Sequence, residues 1–121
     1  MKKILIVDDS TVVRQLVKTT LETSVYRLFE AQNGEKAIEL ANKHKPDLII
    51  MDIAMPGEID GIEATRRIKT NPQTNNCQVI ILSGTKENQR NEGLDAGAED
   101  IFIKPFSPLD LISKVDNILG K

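Results

Sequence analysis

Five short aliphatic runs alternate with five stretches whose apolar residues recur at helical spacing, and this alternation constrains the fold more tightly than any other feature of the chain. Residues 3–7, 47–51, 78–82 and 100–103 are rich in Ile, Leu and Val without polar alternation, which suits strands buried on both faces. Residues 26–30 are weaker and alternate Tyr26 and Leu28 with Arg27 and Glu30, as an edge strand would. Helical spacing follows each run. Val13, Leu16, Val17 and Leu21 mark residues 11–22, and Ala37, Ile38, Leu40 and Ala41 mark the second helix. Asn33-Gly34 could open a hairpin, but the helical pattern behind it makes Asn33 an N-cap. Asp60-Gly61 precedes a third helix with Ile62 and Ile68. Residues 86–96 form a poor helix, mostly polar, with Gly93 inside at a cost of about 1 kcal/mol against Ala and Gly97 as its stop. The fifth starts at Ser107 with Pro108 in its first turn and runs through Leu111, Ile112, Val115, Ile118 and Leu119 to Gly120.

Strict strand–helix alternation implies a doubly wound α/β fold: a parallel sheet covered on both faces by right-handed crossovers. With 121 residues the expectation is one domain over 1–121. Ligands of such a sheet bind beyond the carboxyl ends of its strands.

Composition removes several functions. The longest apolar runs are four residues, against about 18 for a membrane span. Met1-Lys2-Lys3 resembles the start of a signal peptide, but Asp8-Asp9 ends its apolar run too early. Cys77 is the only cysteine, which excludes an internal disulfide and fits a reducing cytoplasm. One Cys and one His cannot build a Cys/His zinc site, and His44 reads as a satisfied surface histidine. A net charge of −2 and only four aromatic residues speak against a nucleic-acid binder. No glycine-rich phosphate loop is present.

The strand ends carry the chemistry. The first run ends in Asp8-Asp9, the third in Asp52, the fourth in Ser83-Gly84-Thr85 and the fifth in Lys104-Pro105. Singly, each has a plainer reading: Asp8 or Asp9 as a helix cap, Asp52 as a loop residue, Ser83 as a turn former, Lys104 as a solvated charge. Together they converge on one rim. Two carboxylates about 5 Å apart repel by about 3 kcal/mol at an effective dielectric of about 20, so a cation is expected among them. Hard oxygen donors with room for water favour Mg²⁺, with Mn²⁺ an acceptable substitute. Such a pocket suits one phosphoryl group: Asp52 as nucleophile, the metal on Asp8 and Asp9, and Ser83 and Lys104 on the remaining oxygens.

These motifs, Ile4-Leu5-Ile6-Val7-Asp8-Asp9-Ser10, Met51-Asp52-Ile53-Ala54-Met55-Pro56, Ser83-Gly84 and Lys104-Pro105-Phe106, resemble those of the CheY-like response-regulator receiver domain over residues 3–119. The resemblance implies a flavodoxin-like (βα)5 three-layer sandwich with strand order 2-1-3-4-5. It implies Asp52 as phosphoacceptor, Asp8, Asp9, Asp52 and the Ala54 carbonyl as magnesium ligands, and Ser83 as switch hydroxyl. Phe102 becomes the switch aromatic (with plain core filling as its alternative), Lys104 a phosphoryl-binding lysine, and Pro105 is expected after a cis bond. The chain departs from the family in three places. Gly57-Glu58-Ile59-Asp60 makes the loop after Asp52 one residue longer than the commoner form, Ser83 stands where many relatives have Thr, and Ala54 offers an attacking water no polar side chain. With Ala54 and Thr85 at positions that govern phosphoryl lifetime, the lifetime is left open.

The expected function is a phosphorylation switch in a His-Asp phosphorelay. Phosphorylated Asp52 would draw in Ser83 and Lys104, Phe102 would turn inward, and the face of the fourth helix, fifth strand and fifth helix would change for partner binding. The weak helix at 86–96 suits a mobile segment, or is simply a solvated surface helix. The donor is expected to be a phosphohistidine on a histidine kinase or phosphotransfer domain. It would dock by the first helix near Val12, Val13 and Leu16, which could equally be core. The target is a downstream protein or output domain; direct nucleic-acid and membrane contacts are not expected. The unphosphorylated form is expected to be a monomer, with dimerisation on phosphorylation left open. On this reading the chain is not an enzyme beyond its own phosphoryl transfer and autodephosphorylation. A haloacid-dehalogenase-like phosphohydrolase would need Asp-x-Asp and a cap domain. A flavodoxin-like electron carrier would need a phosphate-cradling loop. The remaining alternative is a receiver-fold binding module with an unused site.

Overall fold

The computed structural model describes residues 2–22, 26–84 and 87–120. The elements are β1 (Lys3–Val7), α1 (Thr11–Leu21), β2 (Arg27–Ala31), α2 (Gly34–His44), β3 (Leu48–Asp52), α3 (Gly61–Thr70), β4 (Gln78–Ser83), α4 (Glu87–Asp95), β5 (Asp100–Ile103) and α5 (Pro108–Leu119). The five strands pair in parallel in the order β2-β1-β3-β4-β5, the flavodoxin-like order. Thr85 and Lys86, assigned from the sequence to the loop before α4 and to its start, lie outside the described residues.

Side-chain alternation along the strands feeds two cores. Leu5, Val7, Ile49, Met51, Val79 and Ile81 enter one with α2, α3 and, just past α4, Ala96 and Ala98. Ile4, Ile6, Leu48, Ile50, Ile80 and Leu82 enter the other with Val17, Leu21, Leu111, Val115 and Leu119 of α1 and α5. Both faces are covered, which is why these runs carry no polar alternation. The strands then deliver Asp8, just past β1, and Asp52, the last residue of β3, to the carboxyl rim.

Element ends follow local chemistry. Ser10, Asn33, Asp60 and Ser107 each accept the backbone N–H three residues on, capping α1, α2, α3 and α5. Several boundaries differ from the sequence reading by one residue. β2 starts at Arg27 because buried Tyr26 faces α5 rather than joining the ladder, and its hydroxyl donates to Asp116. β3 and β4 each run one residue further, so Asp52 and Ser83 are the last rungs of strands. α1 stops at Leu21 with Glu22 as cap, and α4 stops at Asp95. Gly93 inside α4 has a packing reason: a Cβ there would lie 2.7 Å from Ile101 Cδ1 and 2.9 Å from Ile81 Cδ1, so the missing side chain lets α4 settle on β4 and β5. His44 stacks on Phe29 with ring centroids 4.2 Å apart, a surface contact.

Candidate functional site

Asp8 follows β1 directly, its N–H donating to the Ala31 carbonyl of β2 (3.1 Å). Since Ser10 caps α1, neither Asp8 nor Asp9 spends its carboxylate on the helix. Asp8 Oδ1 accepts the Ser10 N–H at 2.9 Å, and Oδ2 accepts from Lys104 Nζ at 3.1 Å. The same ammonium donates to Asp52 Oδ1 at 2.8 Å. Asp8 and Asp52 are only 2% and 5% exposed, whereas Asp9 is open to solvent. One oxygen from each of Asp8, Asp9 and Asp52 lies within 4.8 Å of the others.

Backbone packing holds the acids there. Gly61 donates its N–H to the Ile53 carbonyl at 2.9 Å, and a Cβ at Gly61 would fall 1.9 Å from the Asp52 carbonyl oxygen. Only a residue without a side chain lets α3 abut the end of β3 in this way. Arg14 of α1 donates to the Asp8 carbonyl at 2.7 Å and to Glu30 at 3.1 Å, fixing the turn from behind. Sequence reasoning missed Arg14 and read Gly61 only as a helix start. Arg14 lies in the first turn of α1 and has no local signature.

The electrostatics match the geometry. Burial raises the Asp52 pKa and the Asp8 and Asp9 charges add to this, against the Lys104 ammonium. Burial alone would lower the pKa of Lys104, but Asp52 and Asp8 together hold it above the ordinary lysine value. Three carboxylates against one ammonium leave a formal local charge of −2. Oxygen-only donors, few in number and open to solvent at Asp9, fit a small hard divalent cation that keeps several waters. The cluster therefore could bind a metal such as Mg²⁺.

The other expected residues are placed as follows. Ser83 is buried at the end of β4, and its carbonyl accepts the Lys104 N–H at 2.8 Å. Ala54 is exposed in the loop between β3 and α3, two residues past Asp52. Phe102 pairs with Leu82 in the ladder and is half-buried against the α1–α5 core. The Lys104–Pro105 peptide bond is cis. Val17 and Leu21 carry α1's burial, while Val12 is 77% and Leu16 50% exposed.

Comparison with known proteins agrees with this architecture. The response regulator receiver domain family matches residues 4–116, and the chain belongs to that family. It is 38% identical to the phosphate regulon transcriptional regulatory protein PhoB of Pseudomonas aeruginosa over 121 residues, 99% of this chain and 52% of PhoB. It is 37% identical to the transcriptional regulatory protein SrrA of Staphylococcus aureus over 98% of this chain and 48% of SrrA. The chain thus spans about half the length of these curated relatives. Among solved structures, the Vibrio cholerae chemotaxis protein CheY4 superposes with a TM-score of 0.88 at 32% identity, covering 98% of each chain. The receiver domain of a Syntrophus aciditrophicus histidine kinase superposes at 0.90 with 33% identity, over 99% of this chain and 91% of that one. The chain is a receiver domain of the two-component response-regulator family, with a site consistent with a phosphoacceptor role.

Proposed function

We propose that this receiver is a magnesium-dependent phosphorylation switch with Asp52 as acceptor. One observation carries the reading: Lys104 bonds Asp8 and Asp52 at once inside a three-carboxylate crater that keeps an excess negative charge. Asp8, Asp9, Asp52 and the Ala54 carbonyl would hold the cation, which neutralises charge on the incoming phosphoryl group. A carboxylate oxygen of Asp52 attacks phosphorus, and the phosphorus–nitrogen bond of a phosphohistidine breaks, leaving the imidazole on the donor. Lys104 and the Ser83 hydroxyl then bind the phosphoryl oxygens. Hydrogen bonds to charged groups are worth roughly 1.5–3 kcal/mol each, so two supply roughly 3–6. That is comparable with the roughly 5.5 kcal/mol that inverts a 1:99 population.

Two surfaces support partner exchange around this chemistry. A mostly apolar groove of about 350 Å³ lies between Val13 and Leu16 of α1 and the Lys104-Pro105-Phe106 segment. It opens beside the crater, where a histidine kinase or phosphotransfer domain would present its phosphohistidine. A broader depression of about 640 Å³ is lined by Arg90, Phe102, Ile103, Phe106 and Asp110, on the α4–β5–α5 face that would deliver output to a target or output domain. The reaction ends on the protein itself, so the chain acts as a signalling switch rather than an enzyme with turnover. We place it in the cytoplasm, where the buried Cys77 stays a thiol; among the described residues no helix is long and apolar enough to cross a membrane.

Incubation with acetyl phosphate and Mg²⁺ tests the site. Wild type is expected to be labelled stoichiometrically, with Asp52→Asn reduced at least about 100-fold and chelation of Mg²⁺ having the same effect, since both remove groups of the transfer step. Equal labelling of wild type and Asp52→Asn would overturn the assignment. Unchanged amide shifts on α4, β5 and α5 with a trapped phosphoryl analogue would remove the switch.

A further inference from the structure

The loop of residues 53–60 carries Ala54 away from Asp52 and leads to α3. Its base is closed by the Gly61 N–H on the Ile53 carbonyl. Its outer half lies on the first turn of α2. Glu35 Oε2 accepts the Glu58 N–H at 2.9 Å. Gly57 takes φ +110°, a value that side chains disfavour, and a Cβ there would lie 2.7 Å from Glu35 Oε1. Ile59 is buried and seated over Gly34, where a Cβ would fall 2.8 Å from Ile59 Cγ1. Two neighbouring residues of α2 thus receive three neighbouring residues of the loop, through one polar and one apolar contact.

We propose that Glu35 is a positioning residue for the phosphoryl site, clasping the tip of this loop and so fixing the stretch that runs from Asp52 through Ala54. The inference rests on the reading of the crater given above. An acidic residue in a helix's first turn also favours the helix dipole. That role alone gives no reason for the carboxylate to meet the Glu58 amide, nor for a glycine in a left-handed conformation against it. The Glu58 amide also holds the Glu35 carboxyl below its ordinary pKa, as a fixed contact requires.

The test uses the full chain with Glu35→Ala, Glu35→Gln and Gly57→Ala. Readouts are Mg²⁺ titration followed by amide NMR shifts, hydrogen exchange at Glu58, and labelling by acetyl phosphate. For Glu35→Ala we expect exchange at Glu58 faster by about tenfold, and Mg²⁺ affinity weaker by about three- to tenfold. Labelling should slow by a similar factor at subsaturating Mg²⁺ and recover at saturation. Glu35→Gln keeps an acceptor oxygen and should stay within about twofold of wild type. Gly57→Ala approaches the same contact from the loop and leaves the helix dipole untouched; it should reproduce the loss, and the double variant should be no worse than the more affected single one. Wild-type Mg²⁺ affinity and labelling in Glu35→Ala would overturn the inference, as would a loss that Glu35→Gln fails to rescue. If wild type binds Mg²⁺ but is not labelled while Glu35→Ala still weakens binding, the phosphoacceptor reading falls and the clasp stands. A wild type that binds no Mg²⁺ overturns both.

Discussion

The two rims of the sheet treat charge in opposite ways. At the amino rim two lysines are matched to fixed acceptors. Lys3 donates its N–H to Asp47 at 2.8 Å and its ammonium to the His44 carbonyl at 3.0 Å. Lys69 donates to the carbonyls of Asn75 and Cys77, both at 2.9 Å. At the carboxyl rim three carboxylates share one ammonium. The first arrangement ties loops to strands. The second keeps an excess of negative charge in partly buried surroundings, which an added cation would neutralise. Stability and function are thus separated along the strand axis, a division that lets a fold tolerate a destabilising site.

Lys104→Met should produce the largest departure from this division. It leaves Asp8 and Asp52 facing each other without their shared donor. Breaking a buried pair costs about 3–5 kcal/mol; with Lys104 27% exposed, about 1–3 kcal/mol is expected after solvent screening. Mg²⁺ should restore most of that loss and bind more tightly than to wild type, because no ammonium competes for the same oxygens. Thermal melts across a Mg²⁺ titration check this. Equal stabilisation of both proteins by Mg²⁺ would mean that Lys104 does not offset the crater's charge.

Lys69→Met probes the other rim with a smaller effect. The methionine keeps the stem that packs where a Gly97 Cβ would lie, 2.8 Å from Lys69 Cγ, and removes only the ammonium. Two carbonyls lose a charged donor, for an expected cost of about 1–2 kcal/mol in denaturant melts. Mg²⁺ affinity and labelling should not move. A change in either would show that the rims are coupled and that the contrast between them is false.

The site's plan was legible because parallel topology forces strand ends together: Asp8, Asp52 and Lys104 are far apart in sequence, yet β1, β3 and β5 end at one rim. The N-caps at Asn33 and Ser107 were legible because capping is local chemistry. Three things were not. That Asp8 stays free for Lys104 depends on Ser10 taking the cap, a choice between adjacent residues that only backbone angles decide. The exposure of Val12 and Leu16 was hidden because α1's apolar stripe is wider than the face it buries. Arg14 meets Glu30 of β2 and Glu35 meets the Glu58 amide across packed elements, so no spacing in the sequence marks them.

The smallest expected effect again concerns the amino rim, through the Tyr26 hydroxyl that donates to Asp116 of α5. Burial raises this hydroxyl's pKa, and the bond to Asp116 and its charge raise it further. A group whose folded pKa lies above its unfolded value, near 10 for tyrosine, contributes its full stability below that pH. The contribution is lost as pH climbs from about 10 toward the folded value, because the unfolded chain ionises first. Tyr26→Phe should therefore cost about 1 kcal/mol at pH 7, and its deficit against wild type should shrink steadily above pH 10. Melts of both proteins between pH 7 and 11 read the difference directly, and other titrating groups cancel between them. A deficit that stays constant over that range would mean that the hydroxyl is not held as a neutral donor. The amino rim's matching would then rest on its lysines alone.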